Sequence, residues 1–171
     1  MNFKNHPLQF IRTLALLIIL MPVLSVSGQE DPQRIHRLGL RGAYKSDNVD
    51  MWGVEASYQL SLKGIRRLEI DLGTMSSSAW DILQTTFIYQ WRFVRVGGLS
   101  LYAGPGAGIG YASYGYGDDT FFGVVAADIG VDYTFRLPLQ VAVDYRPEYS
   151  AWQKVGKEVT NQVAVAVRLA F

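Results

Sequence analysis

The chain contains no cysteine, so a disulfide framework, a thiolate nucleophile and a thiolate metal site are all excluded. Histidine is nearly absent as well; beyond the opening stretch only His36 remains. A Ser/His/acid triad needs its base beside a nucleophile in a shielded site, and one histidine at the start of a segment supplies that poorly. Charge is scarce, at 18% of residues, and nearly balanced at +1, so nucleic acid is not an expected partner. What the 171-residue chain does have is 17 glycines and 13% aromatics, a mixture suited to short strands in one domain.

The single long apolar run is Leu14–Leu24, preceded by Lys4 and Arg12 and followed by Val26-Ser27-Gly28. At about 11 residues it is well short of the roughly 20 that a spanning helix needs. Residues 1–28 therefore read as a secretory signal peptide, cut ahead of Gln29, with 29–171 as the working domain.

From Arg34 the sequence falls into eight alternating segments. The last is the clearest: Val163, Val165, Val167, Leu169 and Phe171 alternate with Gln162, Ala164, Ala166, Arg168 and Ala170. A period of two places one face in an apolar medium and the other in a polar one. The remaining segments are Arg34–Tyr44, Met51–Leu62, Ile65–Gly73, Ile82–Val94, Leu99–Tyr111, Thr120–Phe135 and Leu139–Tyr149. Lys63-Gly64, Gly97-Gly98 and Leu137-Pro138 are tight turns; 45–50, 74–81, 112–119 and 150–160 are longer loops. Trp80 is out of phase and reads as a loop shoulder. Pro105, lacking an amide donor, predicts a bulge or broken pairing.

Alternation alone does not say which face is inside. Three features do. The large-residue face carries no charge between its turns; the polar face uses Arg, Asp, Glu, Gln, Gly and Ala, with Lys45, Lys63, Lys154 and Lys157 all in loops or turns; and the apolar side chains are too bulky to fit within eight strands. Arginine suits confinement because its fork pairs with carboxylates at close quarters. Aromatics also collect toward the segment ends: Tyr44, Trp52, Tyr111, Phe121 and Tyr145 toward one rim, and Trp91, Phe93, Tyr133, Phe135 and Phe171 toward the other. Two such girdles flanking an aliphatic band fit a bilayer. The expected fold is all-β: an eight-stranded antiparallel up-and-down transmembrane β-barrel, short turns on the periplasmic side.

With eight alternating segments, a terminal Phe171 and the stretch Val141-Ala142-Val143-Asp144-Tyr145-Arg146-Pro147-Glu148-Tyr149, the chain resembles the small outer-membrane β-barrels of the OmpA-transmembrane and OmpX/Ail type. The resemblance spans residues 29–171. It implies a Gram-negative outer-membrane protein inserted by the barrel assembly machinery. Val163, Val165, Val167, Leu169 and Phe171 would then be the insertion signal, with outer-membrane lipid and lipopolysaccharide as surroundings.

The polar face collects Arg37, Arg41, Arg67, Arg92, Arg146 and Arg168 with Glu55, Glu69, Asp71, Asp128, Asp132, Asp144 and Glu148. They read as a paired network plugging a narrow lumen rather than as an ion path, because unpaired buried charges are costly. Hairpin arithmetic puts Arg41 beside Glu55. The run Gly104–Gly110 is not a phosphate loop, since its period is two and no helix follows; its glycines make room for bulky partners across the lumen. Asp118 and Asp119, with Asp47 and Asp50, read as solvated loop acids rather than a Ca²⁺ site. A monomeric structural or surface-interaction barrel without cofactor, metal or catalysis is expected; a narrow porin-like channel is the alternative, and a lipid-modifying enzyme a further one.

Overall fold

A computed structural model describes residues 36–46, 50–77, 80–114, 119–152 and 156–171. The signal-peptide assignment and Asp47, Asp118 and Lys154 lie outside them. Eight strands follow one another: β1 (His36–Ser46), β2 (Met51–Ser61), β3 (Arg66–Ser76), β4 (Trp80–Val96), β5 (Leu99–Tyr114), β6 (Thr120–Thr134), β7 (Leu139–Trp152) and β8 (Gly156–Ala170). Each pairs antiparallel with the next, and β8 returns to β1, so the sheet closes into a barrel with no free edge.

Closure is built into the terminal alternation. Leu38 faces Leu169, Leu40 faces Val167 and Tyr44 faces Val163 across the β1–β8 seam, so outward residues meet outward residues. Past the last ladder pair, Phe171 N donates to His36 O at 2.9 Å and His36 N to Phe171 O at 3.3 Å. Gly64 and Gly97 sit in two of the short turns at φ of 75° and 59°, which only glycine adopts cheaply.

Several boundaries differ from those expected. Strand β3 continues to Ser76 and β4 begins at Trp80, so most of the serine-rich loop and Trp80 itself belong to strands. Strands β5 and β7 run on to Tyr114 and Trp152, and β8 starts at Gly156. Lys45 is also within a strand, the penultimate residue of β1, and its side chain is buried. Both corrections have one cause: backbone ladders persist past the point where apolar alternation stops.

The pairing at Pro105 is broken as expected. Ladder partners run to Ile88↔Gly106 and resume at Trp91↔Ala103, and a register shift follows between Arg92 and Val94. Pro147 interrupts β6–β7 likewise, between Ala126↔Glu148 and Ile129↔Tyr145. Both prolines remain paired on their other side, Pro105 with Ala127 and Pro147 with Asn161.

Candidate functional site in the barrel lumen

The two faces differ in kind. Outward residues are large and apolar, with Ile109 at 69% exposed and Val165 at 51%; inward, Arg41, Arg67, Arg146 and Arg168 are fully enclosed. Across this wall the arrangement of a soluble protein is inverted, since arginine is almost never fully buried unless paired.

At the centre of the lumen, Arg41 donates to Glu55 directly opposite it and to Asp144 on β7, two strands round the wall, while Gln162 Oε1 accepts from Arg41 Nη1 at 3.0 Å. Arg146 reaches Asp71 at 2.9 Å, Glu69 at 3.3 Å and Asp128 at 3.4 Å. Arg168 reaches Glu69 at 3.0 Å and donates to Ser57 Oγ at 2.9 Å. Arg67 pairs with Asp132 at 2.6 Å and lies over the Tyr102 ring, 4.1 Å from its centroid. Glutamines join the ion pairs: Gln59 donates to Glu69 at 2.8 Å and Gln90 to Asp128 at 2.5 Å. Ion pairs in a low-dielectric interior gain from further hydrogen bonds to their free lone pairs and protons, and the glutamines supply part of these, while Asp71 Oδ1 and Arg67 Nη2 make none.

Lys45 extends the network toward the long loops, pairing with Glu148 at 2.6 Å, which also accepts from Gln84 at 3.0 Å. At this end of the lumen one side of the wall is apolar, with Met51 directly opposite Lys45, while Ser150, Thr160 and Gln162 keep the other side polar. Met51, Met75, Ile82, Phe122 and Val124 pack with Ala43, Ala112 and Ala164 in one buried cluster. Ala43, Val124 and Ala164 fall on the polar face by alternation alone, whereas Met75 and Ala112 fall in expected loops and Met51, Ile82 and Phe122 stand at segment starts where alternation assigns no face.

The glycines of β5 also make room differently from the expectation. A Cβ at Gly106 would sit 2.1 Å from the Ile88 side chain and one at Gly110 would sit 2.2 Å from the Phe122 ring. Both neighbours are on adjacent strands, not across the lumen.

Arg37 and Arg92 stand apart from the ion pairs. Arg37 donates to Ser61 Oγ at 3.0 Å and Gln59 Oε1 at 3.4 Å, and half-exposed Arg92 donates to Gly64 O at 3.3 Å.

No protein-family model matches the chain, and the curated proteins contain no match to it. Solved structures do match. Neisserial surface protein A superposes with a TM-score of 0.67 at 16% identity, over 81% of this chain and 97% of that one. The N-terminal β-barrel domain of Pseudomonas aeruginosa OprF superposes with a TM-score of 0.58 at 15% identity, over 81% and 98%. The chain has the fold of the small outer-membrane barrels.

The aromatic positions fall at two levels of the barrel. Toward the long loops Tyr44 packs on Trp52 (centroids 4.5 Å apart) and Tyr111 on Phe121 (5.0 Å), and Tyr145 Oη donates to Asn161 at 2.6 Å. Toward the short turns Tyr133 packs on Phe135 (4.8 Å) and Trp91 on Tyr89 (5.1 Å); Phe93 is exposed beside the register shift. His36 stacks on Phe171 (5.9 Å) and its Nδ1 lies 2.6 Å from Tyr58 Oη, so its neighbours are aromatic side chains. Among the described residues no group of three or more His, Asp or Glu is placed to hold a metal ion.

At the long-loop rim, Asp119 accepts hydrogen bonds from Tyr111 Oη and from Ser113 Oγ, the latter at 2.9 Å. The Tyr111 bond, seconded by Ser113, holds its carboxyl below the usual range, since both favour the ionised form.

Proposed function

We propose that this chain is a monomeric resident of the Gram-negative outer membrane, secreted with removal of residues 1–28 and inserted by the barrel assembly machinery through its β8 residues Val163, Val165, Val167, Leu169 and Phe171. Its work is structural: a lipid-embedded wall, in contact with lipopolysaccharide, that presents the long loops at the surface and neither conducts nor catalyses. The observation that carries this reading is the fully buried ion-pair network of Arg41, Arg146 and Arg168 with Glu55, Glu69, Asp71 and Asp144, with the Met51–Met75–Phe122 cluster packed toward the long loops. Charges locked to one another, with apolar side chains packed beside them toward the long loops, leave permeating ions few free counter-charges.

The test is planar-bilayer recording on the refolded barrel. The expected result is no steady conductance above the bare membrane at neutral pH. A stable ohmic current would instead support the narrow-channel reading.

A further inference from the structure

At one end of the lumen the cations outrun their carboxylates. Arg37 (β1), Arg67 (β3) and Arg92 (β4) meet at the short-turn mouth. Ser61, which accepts from Arg37, lies directly opposite Arg67 in the β2–β3 register. Tyr102, whose ring lies under Arg67, is directly opposite Arg92 across β4–β5. Asp132 is already held by Arg67, and the partners of Arg37 and Arg92 are a hydroxyl, an amide oxygen and a backbone carbonyl.

These groups retain hydrogen-bonding capacity that the protein does not use. Arg37 Nε, Arg67 Nη2, Arg92 Nε and Tyr102 Oη are buried and make no hydrogen bond. Arg67 and Tyr102 are fully enclosed and Arg37 is 5% exposed. Buried donors almost always have partners, and an uncompensated buried guanidinium is more costly still. The rim outside adds Lys63, Arg66, Arg95 and Arg136, all exposed, and among the described residues it carries no exposed side-chain carboxylate. Such a rim draws anions toward the mouth.

We propose that this mouth is an oxyanion site that takes a phosphate group between Arg37, Arg67 and Arg92. Guanidinium forks match phosphate oxygens in charge and geometry. Inorganic phosphate and the headgroup of an inner-leaflet phospholipid present the same chemistry. The site is independent of whether the lumen conducts, so a failure here leaves the structural role untouched.

The experiment uses the folded barrel in maltoside micelles, which contain no phosphate, at constant ionic strength set with chloride. One arm titrates inorganic phosphate; the other dopes phosphatidylglycerol into the micelles; both are read by phosphorus NMR line broadening. Saturable binding is expected in at least one arm, and the arm in which it occurs identifies the source. Arg37→Gln and Arg92→Gln are each expected to weaken it about tenfold or more, and Arg95→Gln to leave it unchanged. Arg92 is half-exposed at the mouth, so its variant keeps the test decisive even if Arg37→Gln does not fold. The proposal is overturned by absence of saturable binding in both arms, by full affinity in Arg92→Gln, or by an equal loss in Arg95→Gln.

Discussion

Arg41 and Glu55 face each other across the β1–β2 hairpin and are ion-paired inside the wall, with Asp144 completing the grip on Arg41 from the far side. Both partners are shielded from water, Arg41 completely, so the pair is not weakened by solvent as a surface bridge is.

Replacing Glu55 with Gln keeps the shape and one acceptor but removes the counter-charge. Arg41 retains Asp144, so the barrel is expected to fold and to lose about 1–3 kcal/mol of stability. Urea titration in micelles, or the temperature at which the folded band disappears on a gel, checks this. An unchanged midpoint would mean that the contact contributes nothing.

Two glycines of β1 separate the seam from the lipid face. A Cβ on Gly39 would sit 1.9 Å from Val167 O and 2.6 Å from Arg168 Cα, both backbone atoms of β8, whereas one on Gly42 meets nothing within 4 Å. Gly39→Ala is therefore expected to open the closing seam and abolish the heat-modifiable folded band. Gly42→Ala is expected to fold normally. Equal behaviour of the two variants would show that the seam tolerates more separation than its geometry suggests.

Asp119 gives the long-loop rim a response to acid. Its carboxyl is held below the ordinary value near 3.9, so its bonds to Tyr111 and Ser113 are fully in force above that value and are lost as pH falls through the lowered one. Carbon-detected NMR titration should find Asp119 titrating below the ordinary range, and Tyr111→Phe should move it back up. An unmoved titration in the variant would remove the hydroxyl as the cause.

How much of this could be read from the residues follows from where alternation is strict. Val163 to Phe171 has no exception to its period, and β8 is positioned accordingly. The Arg41–Glu55 contact followed from counting across one hairpin, because antiparallel register fixes partners once the turn is known. Contacts across the lumen, such as Arg146 with Asp71 or Arg67 with Asp132, join distant strands and depend on barrel stagger, which no local pattern encodes. The apolar cluster is illegible for a related reason. Met75 follows a glycine and a threonine and precedes serines, a loop-like setting, yet the β3 ladder carries it inward. Lys45 opens a polar run, yet its ammonium turns in to Glu148.

The decisive measurement is the direction in which the β8 side chains point. With methyl-labelled protein in nanodiscs, a nitroxide carried on the lipid chain should broaden the methyls of Val163, Val165, Val167 and Leu169. The methyls of Ala164 and Ala166, enclosed beside Arg168, should stay sharp. Broadened alanines beside protected valines would place the charges toward lipid and the hydrocarbon within, and the lumen described here would not exist.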